Sequence, residues 1–545
     1  MIPLRRLATV LVLATGAATA APGDAPIDLS PVPFADSPVT LPRDWHRGAF
    51  MEIFVRAYQD SDGDGTGDLR GLISRLDYLK DLGIKGIWLM PIQKSADRDH
   101  GYATADYRAV EPDYGTLADF DELLRQAGRR GIGVIMDYAI NHSAAAHPLF
   151  GAARSDPASP WRDWYVFSDA EPTGWDIFGK NPWYPNRPES WNHTGEAKDT
   201  PRAPPGSRDF YFGTFGPQMP DFNLRNPRVL DYHLDSLRFW LDRGLAGYRL
   251  DATPHLIENS ATDWNDQPES RAMTRRIADM IRSYPNRYVV CEATAKPLEW
   301  GHAAVCGGAF AFGYFGHFID AARGKAESVV ELADYYKTAA PTMATFLSNH
   351  DIFAGRRLWD QLQGDVARYK IAAAGYLLQP GTPFIYYGEE VGQAGAAGLE
   401  ADMPLRAPMS WTADARTGGF TRGTPFRAIA PNVATHNAAT QASDPGSILN
   451  FYKAMLALRN TRPSIARGSY EHAFADGLVL GFQRALGRQR TLVLINYGAE
   501  ARRVRVAGLY GSSTRNAVYP ARGGKQRGAF VTLPPHSVHV FDVRR

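Results

Sequence analysis

Eight short apolar runs, separated by helix-like stretches, constrain this chain more than any other feature. The runs are Phe50 to Tyr58, Ile84 to Pro91, Ile132 to Asn141, Leu245 to Asp251, Tyr288 to Glu292, Ala309 to Tyr314, Met343 to Asp351 and Pro383 to Glu389. Between them, helical spacing runs through Gly71 to Leu82, Leu117 to Arg130, Val229 to Arg243 and Ser270 to Tyr284. Alternation of this kind builds a parallel sheet, and eight repeats close most simply into a (β/α)8 barrel.

Two stretches break the alternation. Residues 143–221 carry no strong helical period but many Trp, Tyr, Pro, Gly and Asn. A connection that long is usually functional or a small domain of its own. We expect an inserted domain after strand three, roofing one end of the barrel. Beyond the helical stretch Ser447 to Asn460 the pattern changes to short alternating runs at Leu478 to Arg484, Arg490 to Tyr497, Ala501 to Val506 and Phe530 to Val543. They read as an antiparallel β-sandwich domain. The expected division is a barrel over 43–142 and 222–462, the insertion over 143–221 and the β-domain over 463–545.

The first residues have a basic start, a short apolar run from Leu7 to Gly16 and a small-x-small end at Ala18-Thr19-Ala20. That is the pattern of a secretory signal peptide over 1–20, so a secreted or periplasmic protein is expected. Residues 21–42, rich in Pro, Ala and Asp, read as a disordered leader. With 60 basic and 58 acidic residues the chain is nearly neutral, which argues against a nucleic-acid partner. No later run suits a membrane helix. We expect a monomer. The two cysteines, Cys291 and Cys306, can pair in an exported protein. Two buried thiols are the favoured reading, because Cys291 sits inside a strand.

The chemistry gathers at the strand ends. Strand three ends on Asp137 to His142, strand four on Arg249-Leu250-Asp251, strand five on Cys291-Glu292 and strand seven on Asn349-His350-Asp351. Parallel barrels keep their active sites at that face. Arg249 and Asp251 lie two apart, so on a strand they point to one side. Taken alone the pair is either a structural ion pair or a carboxylate that the guanidinium keeps ionised for use as a nucleophile. Crowded carboxylates push one another's pKa values apart. That yields one acid and one ionised base or nucleophile, as glycoside cleavage requires.

The segments DYAINH, GYRLDATPH, VVCEAT and FLSNHD resemble, in order, the four barrel motifs of the α-amylase family of (β/α)8 glycoside hydrolases and glucosyltransferases. MPDFN, at 219–223, is similar to the fifth motif of the oligo-1,6-glucosidase and neopullulanase group, where MPDLN is usual. Tyr387-Gly388-Glu389-Glu390 resembles the last barrel strand. The resemblance implies a retaining mechanism with Asp251 as nucleophile, Glu292 as general acid/base and Asp351 as transition-state stabiliser. It implies that Arg249 orients Asp251, and that His100, Tyr102, Asp137, His142 and His350 bind the sugar. Ala252, after the nucleophile, implies α-1,4 rather than α-1,6 bonds. The expected activity is hydrolysis of α-1,4 bonds in malto-oligosaccharides or starch. The competing reading is an α-glucosidase or α-glucosyltransferase of the same fold. A non-catalytic sugar-binding protein on this scaffold is disfavoured, because all three carboxylates are present.

Asp60, Asp62, Asp64 and Asp68 alternate with glycines, and Thr66 is placed to offer its carbonyl. This resembles the start of an EF-hand loop, but Gly71 stands where the bidentate Glu belongs. It also resembles a calcium loop of the oligo-1,6-glucosidase branch, which implies a structural Ca2+. Asn141, Asp221 and His255 occupy positions that resemble a second calcium site of many α-amylases.

Overall fold

A computed structural model describes residues 27–35, 37, 39–187, 208–506, 514–521 and 525–544. The expected signal peptide lies outside them. The barrel strands are Phe50–Ile53, Gly86–Leu89, Gly133–Tyr138, Gly247–Leu250, Tyr288–Cys291, Ala344–Thr345 and Thr382–Tyr386. They pair in parallel in a continuous seven-stranded sheet. The eighth position is filled by two residues only. Ala309 bridges Cys291 and Phe310 bridges Ala344, and this closes the barrel. The expected sixth strand, Ala309 to Tyr314, is therefore much shorter than its apolar run suggested.

The first run is also divided. Phe50–Ile53 is strand, but Val55–Tyr58 turns into one helical turn. The acid-rich loop folds back on that turn, with Gly67 N donating to Arg56 O (2.8 Å) and Asp68 N to Gln59 O (3.0 Å). All residues here are buried, so no polar alternation marked where the strand stops.

Side-chain alternation sorts the barrel. Phe50, Trp88, Ile135, Val290, Phe310, Ala344 and Phe384 form one buried cluster inside it. Their neighbours Met51, Ile87, Val134, Met136, Leu250, Cys291 and Ile385 face the surrounding helices. Burying a large apolar side chain contributes about 1.5–3 kcal/mol, so the inner and outer layers together hold the sheet closed. The same period of two puts Glu52, Asp137, Arg249, Asp251 and Glu292 on the inward parity, one step above the apolar plug.

The insertion carries a helix, Pro148–Ser155, and a small antiparallel sheet of Phe167–Ser168, Phe210–Phe212 and Trp183–Pro185. It is stitched to the barrel's C-terminal face by bridges His142 to Asp221 and Tyr165 to Phe222. After helix Ile448–Thr461 comes a six-stranded antiparallel sheet. A two-stranded ribbon, Arg502–Arg505 with Phe530–Leu533, faces it across a core that includes Leu492, Leu494, Val504, Val531 and Phe541. The barrel, insertion and C-terminal β-domain are the expected fold class.

Two expectations change. The described part of the leader or linker is not free. Ile27 and Leu29 pack on the core, and Arg108 donates to Ser30 O (2.8 Å) and Arg287 to Ser37 O (2.6 Å). Cys291 and Cys306 are not thiols but a disulfide, because the chain after helix Pro297–Trp300 folds back behind the fifth strand. No helix among the described residues is long and apolar enough to cross a membrane.

Candidate active site

Arg249 is the hub of the inward-facing residues. It is almost fully buried at the end of the fourth strand. Its Nη1 donates to both oxygens of Asp137 (2.9 and 3.1 Å) and to Asp251, while Nη2 reaches Glu292 Oε2 at 2.9 Å. The backbone prepares the same contact. Ala252 adopts a left-handed conformation (φ 46°), which turns its N–H onto Glu292 Oε2 (2.9 Å). Thr253 Oγ1 donates to Glu292 O (2.7 Å), and Glu292 N donates to Leu250 O (2.9 Å).

Asp351 approaches from the other side. His350 Nε2 lies 3.2 Å from Asp351 and 2.8 Å from the Tyr102 hydroxyl, and Nδ1 lies 2.6 Å from Glu52 Oε1. Tyr102 in turn donates to Asp137 Oδ2 (2.8 Å), which Trp88 Nε1 also reaches (3.1 Å). Asp137 is thus engaged by Arg249, Tyr102 and Trp88 together. Tyr102 also stacks on the His350 ring (5.4 Å, 20°).

The pocket above these groups has a volume of about 250 Å³. His100, Tyr102, His142, Phe215, Asp251, Glu292 and Asp351 line it, together with Phe353 and Arg406. All the residues expected in the catalytic and sugar-binding set therefore converge: most line the pocket, while Asp137, Arg249 and His350 stand beneath. One wall is ionic. Arg406 reaches Asp351 (3.4 Å), Asp99 (3.1 Å) and Asp402 (3.3 Å), and Arg427 reaches Asp99 (2.8 Å).

Burial sets the protonation pattern. It raises Asp251 to about 6, with Arg249 opposing and Asp137 reinforcing the rise. The guanidinium lowers the Asp251 pKa, as expected, but desolvation outweighs it. Burial likewise raises Glu292 to about 7, opposed by Arg249 and reinforced by Asp251 and Asp351. Asp351 goes the other way. Burial would raise it, but the imidazolium of His350, then Arg406, holds it well below the usual carboxylate range. Burial would lower His350, yet Asp351 and Glu52 raise it to about 10. Burial lowers His142 to about 4, so it is a neutral ring near neutral pH.

In the acid-rich loop, carboxylate oxygens of Asp60, Asp62 and Asp68 lie within 4.8 Å of one another. Asp60 accepts from the N–H groups of Asp62 (2.9 Å), Gly63 (2.7 Å) and Gly65 (2.9 Å) and from Thr421. Asp68 caps the next helix through Gly71 N (2.7 Å). Asp64 is not in the triad; it accepts from Thr66 N (2.7 Å). Three hard oxygen donors at this spacing fit a cation of the Ca2+ type.

A second polar cluster is sealed between insertion and barrel. Asp221 is buried and accepts from Thr214 N (3.0 Å) and Thr214 Oγ1 (2.6 Å), with Asn141 beside it. Burial raises Asp221 to about 7, and raises Glu258 well above its usual range, with Asp221 adding to the rise. Glu258 Oε1 and His255 Nδ1 are buried without a hydrogen-bond partner. Facing carboxylates with an unpartnered oxygen are the donor chemistry of a cation site.

Several residues here escaped the sequence reading. Glu52, Asp99, Arg406 and Glu258 stand outside any strand-end motif. The one signal was Glu52, a lone carboxylate inside an apolar run, which is rarely buried unless paired.

The fold and this pocket define a (β/α)8 enzyme of the glycoside-cleaving class. Residues 52–468 match the α-amylase catalytic domain, and the chain belongs to the α-amylase family. It is 34% identical over 504 residues to the trehalose synthase/amylase TreS of Mycolicibacterium smegmatis, covering 83% of this chain and 82% of that protein. It is 31% identical over 520 residues to a probable α-glucosidase of Rhizobium meliloti, covering 84% and 90%. Among solved structures it is similar to the α-glucosyl transfer enzyme XgtA, with TM-score 0.79 and 28% identity, over 92% of this chain and 100% of that one.

Proposed function

We propose that this protein is a retaining α-glucosidase or α-glucosyltransferase that takes single glucosyl units from short α-1,4-linked malto-oligosaccharides. The observation that carries this reading is that Asp251 and Glu292 share one guanidinium inside a pocket flanked by the Asp402–Arg406 ion pair. Two carboxylates on one guanidinium suit the short spacing of a retaining pair better than the about 6.5–9.5 Å that an inverting pair needs for its water. A flank of paired charges suits one sugar ring better than a chain running through, which favours the exo reading over starch cleavage at internal bonds. Similarity to a trehalose synthase/amylase, a probable α-glucosidase and an α-glucosyl transfer enzyme supports the same choice.

Asp251, the more acidic of the pair, attacks the anomeric carbon. The glycosidic C–O bond breaks as Glu292 gives its proton to the leaving oxygen. Glu292, now ionised, then takes a proton from water or an acceptor hydroxyl. That oxygen bonds to the anomeric carbon, and the bond to Asp251 breaks. Asp351, kept anionic by His350 and Arg406, stabilises the oxocarbenium-like charge. Arg249 orients both reacting carboxylates. His100, Tyr102, Asp137, His142 and His350 hold the sugar. Ala252 supports α-1,4 selectivity by the family resemblance.

Asp60, Asp62 and Asp68 would hold a structural Ca2+, and Asp221, Glu258 and Asn141 a second cation. In each case the ion would neutralise crowded carboxylates and tie a loop to the barrel. The disulfide suits an oxidising compartment, which supports export. Product analysis tests the proposal. Maltotriose should give glucose plus transfer products, and a maltoheptaose blocked at its non-reducing end should stay intact. Rapid cleavage of the blocked substrate would restore the endo reading.

A further inference from the structure

Glu292 is held almost entirely from one side. Arg249, Leu250, Ala252 and Thr253 each bond it, and all belong to the fourth strand and its continuation. On the other side the fifth strand meets only the two-residue filler at 309–310. That seam has two hydrogen bonds, Cys291 N to Gly308 O (3.0 Å) and Phe310 N to Cys291 O (3.1 Å). The first and second strands, by comparison, pair over four residues. The seam nearest the proposed acid/base is thus among the weakest in the barrel.

The disulfide crosses that seam. Cys291 directly precedes Glu292, faces the helices and is fully buried; Cys306 is fully buried in the segment that leads to the filler. A covalent link there resists the outward slide that two hydrogen bonds resist poorly. We infer that Cys306, acting through Cys291, is a positioning residue that fixes the tip of the fifth strand and so the aim of Glu292 at the leaving oxygen. This rests on the assignment of Glu292 as acid/base.

The test exploits the leaving group. An acid/base out of line hurts substrates that need protonation, such as maltose, and spares an activated substrate such as 2,4-dinitrophenyl α-glucoside. The full chain carrying Cys291→Ala with Cys306→Ala is assayed at a temperature where circular dichroism shows native structure. For maltose kcat/KM should fall between about tenfold and a hundredfold, as for a small misplacement of a reacting group. For the dinitrophenyl substrate kcat/KM, which reads only the first step, should stay within about twofold. Cys306→Ala alone, which keeps the buried Cys291 side chain, should give the same split if the double variant does not fold. An equal fall on both substrates, or an unchanged maltose rate, overturns the inference. Glu292→Gln is run alongside: if it too lacks the split, the acid/base assignment fails rather than the role of the disulfide.

Discussion

Arg249 places one guanidinium nitrogen on Asp251 and the other on Glu292, so a single cation spans the two carboxylates that must hold opposite protonation states. Its attraction lowers both and burial raises both, to about 6 for Asp251 and about 7 for Glu292. A nucleophile and an acid working side by side require that order.

Removing either partner should abolish turnover without unfolding the protein. Asp251→Asn and Glu292→Gln should each lower kcat on maltose by at least about a thousandfold, with unchanged far-ultraviolet circular dichroism. A rate within tenfold of the parent for Asp251→Asn would remove it as nucleophile.

The pH profile of kcat/KM should be a narrow bell between about 6 and 7. Below the acid limb Asp251 is protonated and cannot attack; above the alkaline limb Glu292 has lost the proton it must give. With the dinitrophenyl substrate the alkaline limb should vanish. If it persists there, a group other than Glu292 controls it.

The same shifts carry a stability consequence. Glu292 is raised above its usual value, so between its unfolded and folded pKa the native state binds the extra proton. Stability therefore falls as pH rises from about 4.5 to 7, and the loss persists above. Glu292→Gln should then melt higher than the parent at pH 8 and level with it at pH 4, by calorimetry. A lower melting temperature at pH 8 would contradict this account of its burial.

Arg406→Ala should open the ionic wall. It strips Asp351 and Asp99 of a shared partner, leaving Asp99 with Arg427. We expect kcat/KM on maltose to drop by about tenfold or more, with new cleavage of the end-blocked maltoheptaose. Continued resistance of that substrate would show that something other than this wall closes the pocket.

Chelation should lower thermal stability. With Ca2+ held by Asp60, Asp62 and Asp68, excess EDTA should reduce Tm by about 5 °C and added Ca2+ should restore it. Asp68→Ala should melt low and show no response to either. An unmoved Tm on adding EDTA to the parent would argue against a bound ion.

Much of this protein could be read without coordinates. A period of two on short strands already put Arg249 and Asp251 on one side, and strand ends in a parallel barrel share one face. For those reasons Asp137, Asp251, Glu292 and Asp351 were visible as a set. The alternation of strands and helices likewise carried the barrel, because it is a local property of the chain.

Other features depended on distance in space. Glu52, Asp99, Arg406 and Glu258 are ordinary charges in the sequence, and they matter only because folding puts them against His350, Asp351 and Asp221. That burial lifts the Asp251 pKa against the pull of Arg249 was not legible in the sequence, since desolvation belongs to the whole pocket and not to a dipeptide. The cysteines were misread for the same reason: whether Cys291 meets Cys306 depends on where the chain after Trp300 returns. Local pattern determined which residue types stand at the ends of the strands. Only the closed barrel decided which of them are buried together, because burial and through-space charge are properties of the assembled core.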